Sequence, residues 1–244
     1  MKKRLLLISN STNYGEDYLE WPMPYITDFL SQTGVKRALF IPYAGVALSE
    51  EGVEASFDTY EARVNEVLSP HGFEVYSIHR EKDPVQAVKD ALAIMVGGGN
   101  TFHLVYMMHK LKLMKAVHDA VQEGLPYVGW SAGANLACPT LRTTNDMPII
   151  EPEHFDCLDL VPFQINPHFI DAALEGHGGE TREQRIEEFT VVNPGITVVG
   201  LREGTLLEVC DDKIELKGSK PLRVFKYGES SHDYEPDSDL SFLL

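Results

Sequence analysis

Leu125-Pro126-Tyr127-Val128-Gly129-Trp130-Ser131-Ala132-Gly133-Ala134-Asn135-Leu136-Ala137 is the stretch on which the fold turns. Leu125 to Trp130 reads as a buried strand, and Ala132 to Ala137 opens a helix that Pro139 stops. Between them, Gly129-Trp130-Ser131-Ala132-Gly133 fits Gly-x-Ser-x-Gly, a sharp strand-to-helix turn carrying a serine. Such a turn holds its central residue at strained backbone angles, and small neighbours leave it room. The helix that follows directs its first N–H groups toward the site, where they favour a developing anion. A serine that merely caps a helix shares the pattern. The strand before and the helix after favour a nucleophile at Ser131.

Strands alternate with helices on the N-terminal side of this turn. Arg4 to Ser9, Arg37 to Tyr43, Phe73 to His79 and Leu92 to Val96 read as strands. Helical spacing covers Asp28 to Thr33, Ser56 to Leu68, a segment opened by Pro84, and Thr101 to Gln122 with one break. The alternation predicts an α/β fold, a parallel sheet covered on both faces, with ligands beyond the carboxyl ends of its strands. Leu206 to Val209, Lys213 to Leu216 and Leu222 to Phe225 predict a C-terminal antiparallel extension. Residues 1–228 are expected to form one domain and 229–244 an acidic, mobile tail.

With 244 residues the chain suits a single α/β domain. Three scattered cysteines argue against a disulfide framework. The apolar run after Met1-Lys2-Lys3-Arg4 is too short for a leader peptide and lacks a cleavage site. A cytoplasmic location is expected, which makes the Asn10-Ser11-Thr12 sequon accidental. A formal net charge of −16 repels nucleic acid. No window is apolar for the length a membrane helix requires. An acidic substrate would need a local cation to overcome the global field.

Acyl transfer requires a base for the serine proton, an acid that orients the base, and donors for the oxyanion. Gly97-Gly98-Gly99-Asn100 follows the fourth strand, and the N–H groups of Gly99 and Ala132 are expected to form the oxyanion hole. The loop matches neither nucleotide-binding glycine pattern. Among nine histidines, His168 in Gln164-Ile165-Asn166-Pro167-His168-Phe169 follows a β-like run, so it is expected at a strand end. No standard ligand spacing supports a metal site. Two carboxylates compete for the third position. Asp146 lies between nucleophile and base in the chain, and Glu203 follows the strand Ile196 to Gly200. Each also has a plain reading, as a turn former or a surface charge.

These residues resemble peptidase E, the α-aspartyl dipeptidase family. The resemblance rests on Gly129 to Thr140, on Arg142-Thr143-Thr144-Asn145-Asp146-Met147-Pro148 and on Gln164 to Phe169. It extends to Gly176-His177, to Gly179 to Ile186, to Leu7 to Thr12 and to Val96 to Phe102, in order over residues 4 to 226. It implies a metal-free, cofactor-free serine peptidase acting on small acidic peptides that begin with aspartate. The implied fold is a parallel-sheet sandwich similar to class I glutamine amidotransferases. Ser131, His168 and Asp146 fall on the family's charge-relay positions, and Glu203 on an acid also regarded as the third member. Glu203 is preferred for orienting His168, because it ends a strand. Arg182 is the expected clamp for the substrate carboxylate. Asn100 is expected to bind substrate, and Glu180 or Asp146 to meet the substrate ammonium. A monomer or a homodimer is compatible with the sequence. Three rivals stay open: an α/β-hydrolase esterase, a cyanophycinase-like β-aspartyl exopeptidase, and a non-catalytic module on the same fold.

Overall fold

The computed structural model describes residues 3–171 and 178–244. Gly176 and His177, which carry part of the resemblance, lie outside the described residues. The elements run β1 (Arg4–Ile8), α1 (Met23–Thr33), β2 (Arg37–Ile41), α2 (Val53–Leu68), β3 (Glu74–Ser77), α3 (Pro84–Asp90) and β4 (Ile94–Val96). There follow α4 (Thr101–Lys110), α5 (Leu113–Gln122), β5 (Tyr127–Trp130), α6 (Ala132–Leu136), β6 (Gln164–Phe169) and α7 (Arg182–Val192). The chain ends with β7 (Val198–Arg202), β8 (Thr205–Cys210), β9 (Lys213–Gly218), β10 (Leu222–Phe225) and β11 (His232–Tyr234). The break expected between Thr101 and Gln122 falls at Lys112, whose φ of 58° cannot continue a helix.

The main sheet has the order β3-β2-β4-β5-β1-β8-β9, with β1 to β5 parallel and β8 and β9 antiparallel. Successive residues of β1 enter opposite cores, Leu5 and Leu7 on one face and Leu6 and Ile8 on the other. Residues of α1 and most buried residues of α2 fill the second face, while α3 to α6 cover the first. Strands buried on both sides explain the continuous apolar runs Leu5 to Ile8 and Ala38 to Ile41.

The C-terminal strands do not form one extension. β8 and β9 widen the main sheet, whereas β10 joins a second sheet of order β11-β10-β7-β6. In that sheet Ile165, Val199, Leu201, Leu222 and Val224 face the shared core. Phe169, Val198 and Phe225 pack with Ile186 of α7 on the other side. Two buried faces, not one, divide these strands between sheets.

Residues 229–244 are likewise not a loose tail. β11 pairs antiparallel with β10, and Leu240 and Leu243 are buried in the main core. Asp233 meets Arg202 at 3.1 Å and Arg223 at 2.7 Å. Two leucines and one well-matched acid dock a segment whose composition reads as solvated.

Candidate active site

The carboxyl ends of β1, β2, β4 and β5 converge on one cavity of about 690 Å³. Ser11 follows β1, Ala44 to Leu48 follow β2, Gly98 to Thr101 follow β4, and Ser131 follows β5. This is the crevice where ligands bind in parallel α/β sheets.

Ser131 stands at the turn with φ 53° and ψ −110°, a conformation that L-residues rarely adopt. Close packing around it enforces the turn. A Cβ on Gly129 would lie 2.3 Å from the Gly133 carbonyl oxygen, and one on Gly133 would lie 2.3 Å from that of Val96. The glycines of the motif therefore seat α6 against β4 and β5. That helix has only five residues, all of them buried. Its field is correspondingly short, and any help to an anion comes from individual N–H groups rather than from a long helix dipole.

His168 lies inside β6, at a register shift between Asn166 and Phe169, instead of beyond the strand's end. Its φ of 53° marks the bulge that re-aims the ring. Its Nε2 is 2.9 Å from Ser131 Oγ, and its Nδ1 is 2.7 Å from Glu203 Oε1. A carboxylate only accepts, so Nδ1 carries the hydrogen and Nε2 is left to accept from the serine. Ser9 fastens this strand to the main sheet: its Oγ donates to the Leu201 carbonyl at 2.7 Å and accepts from His168 N at 3.0 Å. Asn10 Oδ1 accepts from Gly204 N at 2.8 Å, beside Glu203. Leu7 to Thr12 thus hold the ends of the strands that present His168 and Glu203.

Asp146 makes no hydrogen bond or ion pair with His168. Its Oδ2 accepts from Thr101 N at 2.7 Å, Thr101 Oγ1 at 2.6 Å and Thr144 Oγ1 at 3.0 Å. Its Oδ1 has no partner among the described residues, and the residue lines the cavity. Arg182 also lines the cavity, where Nη1 donates to Asn145 Oδ1. Asn145 Nδ2 in turn donates to the Pro167 carbonyl at 2.7 Å, next to His168. Arg182 has no carboxylate partner among the described residues. Burial first, then neighbouring Arg185, lowers its pKa, as expected for a cation waiting for an anion. Glu180 lies outside the cavity lining, exposed and 3.9 Å from Arg185. Asn100 lines the cavity, yet both its ends serve the protein: Oδ1 caps α4 at His103 N, and Nδ2 donates to the Met147 carbonyl. It braces the Asp146 loop.

Gly99 borders the cavity with φ 132°, and a Cβ there would strike the Ala44 carbonyl oxygen at 2.1 Å. Among the described residues nothing accepts from the N–H of Gly99 or of Ala132. Gly98 packs against the nucleophile, since a Cβ on it would lie 2.9 Å from Ser131 Cβ. Its carbonyl accepts from Tyr60 Oη at 3.0 Å. Tyr60, Tyr18 and Arg63 complete this wall; none is signalled by a motif, and Arg63 reads as part of a solvated helix face. A second Ser-His-Asp arrangement, Ser77, His79 and Asp58, has distances of 2.5 and 2.9 Å. Ser77 is buried and lies outside the cavity that Ser131 lines.

A serine hydrogen-bonded to an imidazole that is held by a carboxylate, on an α/β scaffold, defines the class of arrangement used for nucleophilic acyl transfer. The sequence model of peptidase family S51 matches residues 5–217, and the chain belongs to that family. It is 49% identical over 244 residues to Peptidase E of Nostoc sp. strain PCC 7120, covering 100% of this chain and 98% of that one. To Peptidase E of Salmonella typhimurium strain LT2 it is 50% identical over 227 residues, 93% of this chain and 95% of that one. The crystal structure of a peptidase from an acI-B1 Actinobacterium superposes with a TM-score of 0.63 at 18% identity, covering 95% and 96% of the two chains, a likeness of fold. No helix among the described residues is long and apolar enough to cross a membrane.

Proposed function

We propose that this chain is a serine-type dipeptidase that releases N-terminal aspartate from Asp-X dipeptides. The observation that carries the reading is His168 bridging Ser131 and Glu203 at 2.9 and 2.7 Å, in a cavity whose wall holds Arg182, which has no carboxylate partner among the described residues. Ser131 attacks the aspartyl carbonyl while His168 takes its proton. Glu203 orients the ring and stabilises the imidazolium. The N–H groups of Gly99 and Ala132 receive the oxyanion. His168 then passes the proton to the leaving amine, and water hydrolyses the aspartyl ester by the reverse steps. Arg182 takes the aspartate side-chain carboxylate, and Asp146, through the Oδ1 that has no partner among the described residues, takes the ammonium. The Peptidase E names of the relatives support the peptidase part of this reading.

A substrate panel tests it. Asp-Leu should be cleaved, Asn-Leu and β-Asp-Leu should be poor, and Ser131→Ala should lose about 10⁶-fold in kcat. Retained hydrolysis in Ser131→Ala, or preference for the β-linked peptide, would overturn the assignment.

A further inference from the structure

We propose that Arg63 is the receptor for the C-terminal carboxylate of the substrate, and so the residue that makes the site prefer dipeptides with a free C-terminus. The inference rests on the dipeptidase reading above. Three observations carry it.

First, among the described residues the cavity is lined by two arginines, Arg63 and Arg182, and by one carboxylate with a hydrogen-bond-free oxygen, Asp146. An Asp-X dipeptide at neutral pH has two carboxylates and one ammonium. Pairing Arg182 with the side chain and Asp146 with the ammonium leaves one substrate carboxylate and one protein cation. Second, Arg63 has no hydrogen-bond or ion-pair partner among the described residues, in a protein with 37 acidic and 21 basic residues. Its guanidinium instead lies 4.0 Å from the centre of the Tyr18 ring. A ring face positions the fork without using its N–H donors.

Third, Arg63 and Arg182 are tied to different parts of the nucleophile's surroundings. Tyr18 Oη is 3.5 Å from Tyr60 Oη, and Tyr60 Oη donates to the carbonyl of Gly98, which packs against Ser131. Arg182 instead connects through Asn145 and Pro167 to His168. On this proposal a peptide across Ser131 with its aspartate at Arg182, on the His168 side, places its leaving residue on the Gly98 side, beside Tyr18 and Arg63. The dipeptide spans only about 7 Å, so the carboxylate that follows the scissile bond falls within the same cavity.

The test compares Asp-Leu with Asp-Leu amide, which differ only in that carboxylate. Wild type should favour the acid by about tenfold in kcat/KM, mostly through KM, one charge-assisted pair at a solvent-facing rim. Arg63→Met should lose about tenfold on Asp-Leu and stay within twofold on the amide, and Arg63→Lys should keep an intermediate preference. Arg63 is exposed on α2, and the unchanged amide rate reports an intact fold. Equal rates of wild type on acid and amide would overturn the role of Arg63 and leave the dipeptidase reading standing. So would an equal loss on both substrates in Arg63→Met. Wild type that cleaves neither substrate would overturn the dipeptidase reading itself, and this inference with it.

Discussion

Replacing Glu203 by Gln removes one negative charge from beside His168 while keeping an oxygen that accepts from Nδ1. The contact is 2.7 Å, which puts the charge centres of a Glu203–imidazolium pair about 4 Å apart. At that separation the interaction is about 1 kcal/mol in water and about 4 kcal/mol at an effective dielectric constant near 20. The two side chains are 39% and 41% exposed, so the true medium lies between these limits. The expected loss is therefore roughly fivefold to a thousandfold in kcat. It stays below the roughly 10⁴-fold of an orienting acid whose replacement reverses the tautomer, because the Gln carbonyl preserves it. Asp146→Asn should behave oppositely. Its carboxylate touches Thr101 and Thr144, not His168, so the loss should fall on KM for the ammonium-bearing substrate, with kcat within a few-fold. Steady-state hydrolysis of Asp-Leu by both variants, with circular dichroism to verify the fold, separates the two carboxylates. A kcat loss of three orders in Asp146→Asn, beside a Glu203→Gln variant near wild type, would refute the reasoning.

Two further outcomes follow from strain and from charge. Ser131 holds φ 53° at an expected cost of about 1–3 kcal/mol, so Ser131→Gly should be inactive yet melt a few degrees higher, even after about 0.5–1 kcal/mol for glycine's freedom in the unfolded chain. A lower melting temperature would contradict the strain. Asp171 and Asp233 are held below the ordinary aspartate range, first by hydrogen bonds from Arg202 and Arg223 respectively. Depressed folded-state values give stability that is whole above about pH 4 and lost as pH falls through them. Asp233→Asn should therefore lose less stability than wild type between about pH 5 and pH 3 in thermal melts. Equal losses would exclude Asp233 from the acid response.

What was legible in the sequence is what local physics determines. The alternation of apolar runs and helical spacing gave the parallel core, and Gly-x-Ser-x-Gly gave the turn at Ser131, because a strand, a tight turn and a helix are contiguous. His168 was legible as a candidate but not as a bulge residue, since its φ of 53° is imposed by the shifted pairing of β6 with β7. The choice between Glu203 and Asp146 depends on where β7 ends relative to β6, a contact between residues 35 apart. The preference for a strand-end acid anticipated the neighbour of Nδ1, but only the fold places Asp146 on Thr101 and Thr144 instead. The docking of 229–244 was illegible for the same reason. Asp233 looks like any solvated acid until Arg202 and Arg223 are brought to it across the second sheet.

The net charge of −16 posed a constraint that the site geometry relaxes. Exposed charges act over a Debye length of about 8 Å at physiological ionic strength. A duplex spans many such lengths and meets the whole repulsive surface at once. A dipeptide does not: among the described residues the charged side chains that line the cavity are Arg63, Arg182 and Asp146. Beyond them lies a surface whose field salt largely removes. The acidic composition therefore argues against polyanions while permitting a small anion, provided that the cations in the cavity stay unpaired within the protein. Arg182 and Arg63 meet that condition, among the described residues, in the midst of a marked excess of carboxylates. Each is kept from the surplus acids by a neutral partner, Asn145 for one and the Tyr18 ring for the other. Neutral partners fix the two guanidinium groups in place without consuming the charge that a substrate would use.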